Sequence, residues 1–208
     1  LTRFSLFFPE RRTFFLEDAG IFDFAGGVSY SGTRGGGGGM RRRSIDFLPF
    51  FSRRVGLVEN EDGDTVEVPI RVGEKLTGKV GRFDLGLMDV QTGEAEGFAG
   101  QNLAVGRVKA NFFRQSYFGV IFTNGNPEGG GRNHLEGADL RLSTSNFLNR
   151  GKLFTVSMYG LRTGATGVRG QDHAYGLDVI YPNDFVSADF RISKIGENFN
   201  PALGYVQR

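Results

Sequence analysis

The sequence predicts an all-β protein, an antiparallel up-and-down meander that forms a β-barrel or part of one. Between residues 74 and 194 the chain breaks into segments that alternate apolar and polar residues, and no sustained helical repeat interrupts them. Short and long connections alternate between these segments. An irregular region rich in aromatic and charged residues precedes them, so we assign residues 1–72 to an N-terminal region and residues 73–208 to the barrel strands.

Composition excludes several classes of protein. The 208 residues include 33 Gly, 21 Phe and 6 Tyr but no Cys or Trp, and 25 basic residues nearly balance 23 acidic ones, for a net charge of +2. Without Cys there is no disulfide framework, thiolate metal site or cysteine nucleophile. The small net charge excludes a nucleic-acid partner, and no run of about 18 apolar residues predicts a transmembrane helix. Because the chain begins at Leu1 and has no signal-peptide pattern, we expect a processed form or part of a longer protein.

Residues 1–24 are dense in aromatic and charged side chains and show neither helical nor strand periodicity. We expect an irregular segment that packs its rings against a larger body. Its charges, with two later arginines, could form a cluster inside the barrel that narrows or plugs it, because buried charges need partners. The alternative is that they are the solvated ends of an inter-domain segment. The predicted cluster consists of Glu10, Arg11, Arg12, Glu17, Arg53 and Arg54.

Residues 25–72 contain a run of five glycines at 35–39, which predicts a mobile loop because ordering them costs much backbone entropy. Three arginines follow at 41–43 and could contact anionic headgroups or lie in solvent. Valine-rich stretches at 55–58 and 66–70 flank an Asp-Gly pair, which predicts a β-hairpin. Pro69 cannot donate to a strand ladder, so the second strand should lie at an edge or end early.

About eight strands are predicted between residues 74 and 194. One face of each carries uncharged, mostly apolar residues such as Ala104, Val108 and Phe112, and the other carries charges of both signs. An outer-membrane barrel with a polar lumen has this pattern, and a soluble barrel with an apolar interior has it equally. The predicted lumen-facing residues are Arg107, Lys109, Asp139, Arg141, Asp178, Asp189 and Arg191.

Three further features favour the membrane. The longer segments approach the roughly 9–11 residues with which a tilted strand crosses a bilayer, and Phe and Tyr near the segment ends suit an interfacial girdle. The alternation of short and long connections is typical of outer-membrane barrels, which have short periplasmic turns and long external loops. We therefore expect outer-membrane lipid as the partner of the apolar faces.

Five stretches, in order over nearly the whole chain, carry a family likeness: RFSLFFPERRTFFLE at 3–17, GIFDF at 20–24, PFFSRRVG at 49–56, KLTGKVG at 75–81 and ENFNPALGYVQR at 197–208. Together they resemble the bacterial proteins that carry the domain of unknown function DUF5916. The resemblance implies an outer-membrane barrel that follows a family-9-type carbohydrate-binding β-sandwich, with carbohydrate as a candidate ligand. The sandwich is missing here, and the family's barrel usually continues beyond the point where this chain stops. The family has no settled biochemical activity.

No catalytic or metal motif stands out. Glu10 and Glu17 are near in sequence, but a glycosidase needs two carboxylates at a defined separation across a sugar cleft, and ion pairing is the simpler interpretation. The acidic stretch at 60–67 lacks the full calcium-loop pattern, and His134 and His173 belong to no metal-ligand motif. We assign no catalytic residue, no metal and no cofactor.

The sequence therefore predicts a bacterial outer-membrane barrel that transports solutes or binds them at the surface. Two alternatives stay open: a soluble or surface carbohydrate-active hydrolase, and a structural or assembly protein whose strand edges pair with partner chains. Eight strands close only a small barrel that side chains fill, so either more strands come from elsewhere or the first 72 residues lie outside. The pattern specifies no oligomeric state.

Overall fold

The computed structural model describes residues 10–25, 47–60, 62–95, 97–168, 170–183 and 185–206. Its helices are short: α1 spans Thr13–Leu16, and 3-10 turns span Ala19–Phe22 and Ser52–Arg54. Within the described ranges no helix has the length and apolar character needed to cross a membrane. The predicted glycine loop at 35–39 and the arginines at 41–43 lie outside the described residues.

Strands account for most of the described chain. They are β1 Phe47–Leu48, β2 Leu57–Glu59, β3 Thr65–Glu67, β4 Ile70–Val80, β5 Phe83–Thr92, β6 Asn102–Phe112, β7 Ser116–Asn124, β8 Asn133–Phe147, β9 Lys152–Ala165, β10 His173–Pro182, β11 Ser187–Ile195 and β12 Tyr205–Val206. β4 to β11 form one antiparallel sheet in chain order. The predicted all-β meander is confirmed, as an open sheet with β4 and β11 at its edges.

The two ends of this sheet differ in their connections. Those at 81–82, 113–115, 148–151 and 183–186 are short and lie at one end, the short-turn end. Those at 93–101, 125–132 and 166–172 are longer and lie at the other, the long-loop end. The strands between the ends are 9 to 15 residues long. The predicted alternation of connection lengths is therefore confirmed.

The hairpin predicted before the sheet is present as β2 and β3, with Val58 opposite Val66. Its turn is ordered by the side chain of Asn60, whose Oδ1 accepts the backbone N–H groups of residues 62 and 64 at 3.1 and 2.8 Å. β3 ends two residues before Pro69, as expected for a residue that cannot donate to the ladder.

The sheet has an inner face, on which residues 10–25 lie, and an outer face. Lys75, Arg107 and Asp139 mark the inner face, because all three contact that segment. Side chains alternate along a strand, so their immediate sequence neighbours belong to the outer face.

A hydrophobic core fills the long-loop half of the inner face. There the apolar side chains of β5 to β10 meet three covering segments: residues 10–25, 47–55 and 199–206, the last two joined by the pairing of β1 with β12. The buried members of this core are Phe15, Phe22, Phe24, Val55, Met88, Val90, Leu103, Val105, Ile121, Leu135, Leu161, Ala174, Phe199 and Leu203. The core thus fixes the N-terminal segment against one half of the sheet.

Candidate functional site

The outer face carries a band of apolar side chains that the described chain leaves exposed. Phe118, Val120 and Phe122 follow one another along β7 at 46%, 42% and 48% exposure. The band continues across the sheet with Val72, Leu76, Val80, Phe83, Leu87, Leu142, Met158, Tyr175, Phe190 and Ile192. Monomeric proteins in water rarely expose a contiguous apolar patch of more than a few hundred Å², so a band of this extent indicates a surface that meets something other than water.

Charged and polar residues bound this band at the long-loop end. The boundary is inclined to the rows of residues that are paired across neighbouring strands. On β5 the first charge is Asp89, and on β11 it is Lys194. The row of Lys194, followed through its paired residues back to β5, reaches Leu85, four residues from Asp89. Four residues over six strand spacings correspond to an inclination of about 25°. An apolar band of constant height, on strands that are tilted relative to it, would cross the rows of paired residues at such an angle.

Aromatic side chains lie together at the short-turn end of the sheet, next to the apolar band. Phe113 and Phe185 lie in two of the short connections and are 90% and 95% exposed. Near them Phe147 stacks on Phe154 with ring centroids 4.5 Å apart, and Tyr181 contacts Phe147 edge-on. These aromatic side chains therefore lie together at one end of the strands.

A buried ion pair lies on the inner face where the N-terminal segment meets the sheet. The guanidinium of Arg107 on β6 and the carboxylate of Asp139 on β8 are both 0% exposed, and Nη1 lies 2.6 Å from Oδ1. Asp139 Oδ2 also accepts hydrogen bonds from Arg107 Nη2 at 3.0 Å, the Tyr117 hydroxyl at 3.0 Å and the Ala25 backbone N–H at 2.8 Å. The pair therefore ties the N-terminal segment to three strands.

Gly119 makes room for this pair. It lies on β7, the strand between Arg107 and Asp139, and a Cβ there would lie 2.7 Å from both Arg107 Nη atoms and from Asp139 Oδ1. Any side chain at this position would have to push the two charges apart. The small residue is thus what allows an ion pair to bridge two strands that are not neighbours.

Two lysines of the sheet hold the N-terminal segment by its backbone. Lys75 Nζ donates to the carbonyl oxygens of Phe14 and Glu17 at 2.6 and 3.0 Å, and Lys109 Nζ donates to that of Gly20 at 2.8 Å. Hydrogen bonds to a charged donor are roughly twice as strong as neutral ones. The segment is therefore docked by specific contacts as well as by its aromatic rings.

Asp23 is a titratable group at this contact, and its protonation depends on docking. Its carboxylate has no hydrogen-bond partner among the described residues, and burial raises its pKa to about 6 against the opposing charges of Lys109 and Arg107. Docking therefore shifts the protonation equilibrium of Asp23 towards the acid.

The predicted N-terminal charged cluster is only partly assembled. Glu10 and Arg12 form a salt bridge of 2.7 Å, with the Glu10 side chain 3% exposed. Arg12 also donates to the carbonyl oxygens of Val55 and Ser52, and the Ser52 hydroxyl donates to Glu10. Burial would raise the pKa of Glu10, but the hydrogen bonds from Arg12 and Ser52 outweigh it and lower that pKa to about 2.

The other four members lie around or away from that pair. Arg11 and Arg53 line the same cleft as Glu10 and Arg12. Glu17 is mostly exposed, with its Oε2 4.0 Å from Lys75 Nζ, and Arg54 pairs with Glu128 of a long connection at 3.2 Å. The cleft at Glu10 lies beside β3 and the start of β4, not over the middle of the sheet.

The predicted lumen-facing residues all share the inner face, but in two environments. Arg107, Lys109 and Asp139 lie at the docked segment, as described above. Arg141, Asp178, Asp189 and Arg191 lie in the short-turn half, which the core does not cover, and there Arg191 Nε lies 2.6 Å from Asp178 Oδ1. The predicted lumen charges therefore divide into those that contact the N-terminal segment and those in the half that the core leaves uncovered.

Within the part of the chain that the structure describes, no three His, Asp or Glu residues are placed to hold a metal ion. Sequence reasoning missed Lys75, Asp23 and the role of Gly119. The one local signal was a glycine within the aromatic run of β7, where a strand normally places a larger residue.

Comparisons with protein-family models, with curated proteins and with solved structures give no match for this chain. The geometry of the sheet and its two faces is the remaining indication of function.

Proposed function

We propose that this chain forms part of the wall of a bacterial outer-membrane β-barrel, with lipid on its outer face and a polar path along its inner face. The observation that carries the proposal is the exposed apolar band. Its boundary is inclined to the rows of residues that pair across the strands, as expected when tilted strands cross a hydrocarbon layer of constant height. Strands of 9 to 15 residues and the aromatic residues at the short-turn end support it. The proposed kinship with DUF5916 proteins is consistent with this place and architecture.

The proposed role is transport of solutes or their binding at the surface. The uncovered half of the inner face carries charges of both signs, which would line an aqueous path, and residues 10–25 cover the other half and would restrict that path. Hydroxyl and amide groups among these charges, such as Asn111 and Ser143, suit a carbohydrate ligand. The hydrolase alternative gains no support from Glu10, which is ion-paired with Arg12, or from the exposed Glu17.

The open edges favour a second candidate, assembly through strand pairing. β11 is exposed along its length except at its last residue, and β4 is exposed over most of its length. In a bilayer, unpaired backbone N–H and C=O groups cost several kcal/mol each, so strands must be added at both edges if the outer face meets lipid. Assembly is thus part of the membrane proposal and becomes a separate function only if the sheet assembles in water.

The test is the behaviour of the purified chain with and without detergent. We expect extraction from an outer-membrane fraction only with detergent, and gel migration that changes on heating, as for a folded barrel. A monodisperse, compact species in plain buffer would contradict the membrane proposal. A soluble species of defined higher mass would support assembly instead.

The restricting role of the N-terminal segment has its own test. Removal of residues 1–24 should raise the conductance of the chain in planar bilayers, because the core and ion-pair contacts that hold the segment on the inner face are lost. The control variant Glu128→Gln removes an exposed contact of a long connection and should leave conductance unchanged. Equal conductance of the full and shortened chains would contradict the role.

A further inference from the structure

The two edge strands of the sheet carry opposite charges at the same boundary of the outer face. On β4 the apolar stretch that contains Leu76, which is 68% exposed, ends at Glu74. On β11 the apolar stretch that contains Ile192, which is 60% exposed, ends at Lys194. Both charges bound the apolar band at the long-loop end. If the band continued from one edge to the other at constant height, Glu74 and Lys194 would be neighbours.

Placing these two charges opposite each other fixes a register between the edges. β4 precedes a short connection and β11 follows one, so the two strands run in opposite directions and can pair as an antiparallel ladder. Facing positions then alternate between the outer and the inner face. The outer pairs are Glu74 with Lys194, Leu76 with Ile192, Gly78 with Phe190 and Val80 with Ala188, and the inner pairs are Lys75 with Ser193, Thr77 with Arg191 and Lys79 with Asp189.

In this register the edges are complementary on both faces. The outer face joins one pair of opposite charges to a run of apolar contacts. On the inner face Lys79 faces Asp189, and opposite charges at facing positions stabilise a sheet. The Lys79 side chain is 68% exposed and its Nζ lies 3.4 Å from Asp84 Oδ1 of β5. Because an ammonium has three donors, it can serve a second carboxylate as well.

Neighbouring registers lose this complementarity. A slip of one residue would place the apolar side chains of one edge on the inner face. A slip of two residues in either direction would place Arg191 opposite a lysine, Lys75 or Lys79, and like charges at facing positions are destabilising. One of these slips also places Ile192 opposite Glu74. The pattern of the two edges therefore favours one register over its neighbours.

Glu74 has a further reason to need a cation on its open side. Within the sheet it is paired with Asp89 of β5, so two carboxylates face each other on the outer face. Asp89 Oδ1 accepts a hydrogen bond from Asn102 Nδ2 at 2.8 Å, whereas no described residue forms an ion pair with Glu74. A lysine on the open side of β4 would offset the repulsion between the two carboxylates.

The two edges of a single chain have no room to meet. A closed barrel of eight strands has an interior just wide enough for its own side chains. Here residues 10–25, 47–55 and 199–206 also lie on the inner face, where Phe15, Phe22 and Phe199 are part of the core. Closure of one chain on itself would expel these segments. The edge that matches β4 therefore has to belong to another molecule.

We propose that a second copy of this chain pairs with both edges. β11 of each copy adds to β4 of the other, with Glu74 opposite Lys194. Two such contacts, related by a twofold axis, close a ring of sixteen strands in which no sheet edge stays open, and barrels of that size leave an aqueous channel. The inference rests on the proposed barrel function and adds the partner and the register of the contact.

Thiol cross-linking tests the partner and the register together. The chain has no cysteine, so Leu76→Cys with Ile192→Cys can be treated in detergent with a short bifunctional thiol reagent. We expect covalent dimers on a denaturing gel. The control Val80→Cys with Ile192→Cys moves one thiol about 13 Å along β4 and should give at least tenfold less dimer. Equal yields would overturn the register, and a link within one chain or a ladder of higher masses would overturn the two-copy ring.

Charge reversal provides a second measurement that needs no thiols. Lys194→Glu places two carboxylates opposite each other at both contacts, so dimerisation in detergent, followed by native mass spectrometry, should weaken about tenfold. Adding Glu74→Lys to that variant should restore it. Arg114→Glu makes the same change of charge in a short connection between β6 and β7 and should leave dimerisation unchanged. A dimer that does not respond to Lys194→Glu would overturn the register.

Failure of this inference is distinguishable from failure of the membrane proposal. A chain that requires detergent for extraction but is monomeric in it contradicts only the pairing with a second copy. A chain that stays monodisperse and compact in plain buffer contradicts the membrane function itself.

Discussion

The inner and outer faces of the sheet are built on the same eight strands but distribute their polar groups in opposite ways. On the inner face the hydrophobic core fills the long-loop half and the short-turn half carries Arg141, Asp178, Asp189 and Arg191. On the outer face charged residues bound the apolar band at its long-loop end.

The difference lies in what covers each apolar surface. Residues 10–25 and the segments around β1 and β12 bury the apolar half of the inner face. No described segment covers the outer band. The alternation of apolar and polar residues along a strand therefore defines two faces. It does not show which apolar surface is covered by other segments of the same chain.

The largest effect is expected at the buried pair of the inner face. Asp139→Ala leaves the Arg107 guanidinium fully buried without its partner and should lower the free energy of unfolding by about 3–5 kcal/mol. Denaturant unfolding of the variant in detergent measures it. A loss below about 1 kcal/mol, the range of exposed pairs, would mean that the pair is not buried in solution.

A charge in the middle of the outer band comes next. Val120→Arg should cost about 2–4 kcal/mol if lipid surrounds the band, because the bilayer core penalises an unpaired guanidinium. If water surrounds it, the half-exposed position should tolerate arginine within about 0.5 kcal/mol. Unfolding from lipid vesicles, compared with Val120→Leu as the matched control, separates the two outcomes.

The pH dependence of docking should follow Asp23. Its pKa of about 6 in the folded chain exceeds the ordinary value of 3.8, so the docked state binds the extra proton. Docking is therefore strongest below about pH 4 and weakens as the pH rises through 6, by at most about 2–3 kcal/mol. Proteolysis of residues 10–25 at a series of pH values measures this trend.

Asp23→Asn serves as the control for that trend. Asparagine cannot ionise, so protection of the segment should become independent of pH between about pH 5 and 7. Glu10 does not interfere with this comparison. Because its pKa is lowered to about 2, its contribution to stability is constant above about pH 5 and is lost only in stronger acid. An unchanged slope in the variant would assign the pH dependence to another group.

A smaller effect is expected from Gly119→Ala. The added Cβ would lie 2.7 Å from the Arg107 guanidinium nitrogens, and relieving such overpacking typically costs about 1–3 kcal/mol. Gly78→Ala on β4, where a Cβ meets nothing within 4 Å, is the matched control in the same denaturant series. Equal stability of the two variants would mean that β7 shifts freely and that Gly119 is not required.

The smallest effect is expected at the long-loop end. Glu128→Ala removes the pairing with Arg54, whose two side chains are 32% and 50% exposed. Exposed pairs contribute about 0–1 kcal/mol, so the midpoint of unfolding should barely move, and added salt should abolish what difference exists.

Much of the fold could be predicted because it depends on local pattern. The alternation within residues 104–112 and the lengths of the connections are properties of neighbouring residues, and they gave the order of the meander and the hairpin before it. Arg107 and Asp139 could likewise be assigned to one face by counting positions. Their pairing could not, because it depends on the register of three strands and on the missing side chain of Gly119.

The segments that cover the inner face could not be predicted from the local sequence pattern either. Leu103 and Val105 are apolar residues on the predicted polar face of β6, and they departed from the alternation without indicating what lies against them. Residues 10–25 have no periodicity, so their position on the sheet follows from long-range contacts such as those of Lys75 and Lys109. Of the predicted charged cluster, Glu10, Arg11, Arg12 and Arg53 line one cleft, whereas Glu17 and Arg54 contact other parts of the chain. Their positions likewise follow from long-range contacts.

The most direct test of the account compares the two faces by fluorescence quenching in vesicles. Because the chain contains no cysteine, Val120→Cys on the outer face and Ser193→Cys on the inner face can each carry a single environment-sensitive fluorophore. The account predicts that lipids brominated on their acyl chains quench the label at 120, and that aqueous iodide quenches the one at 193. Quenching of both by iodide, with no effect of brominated lipid, would contradict it.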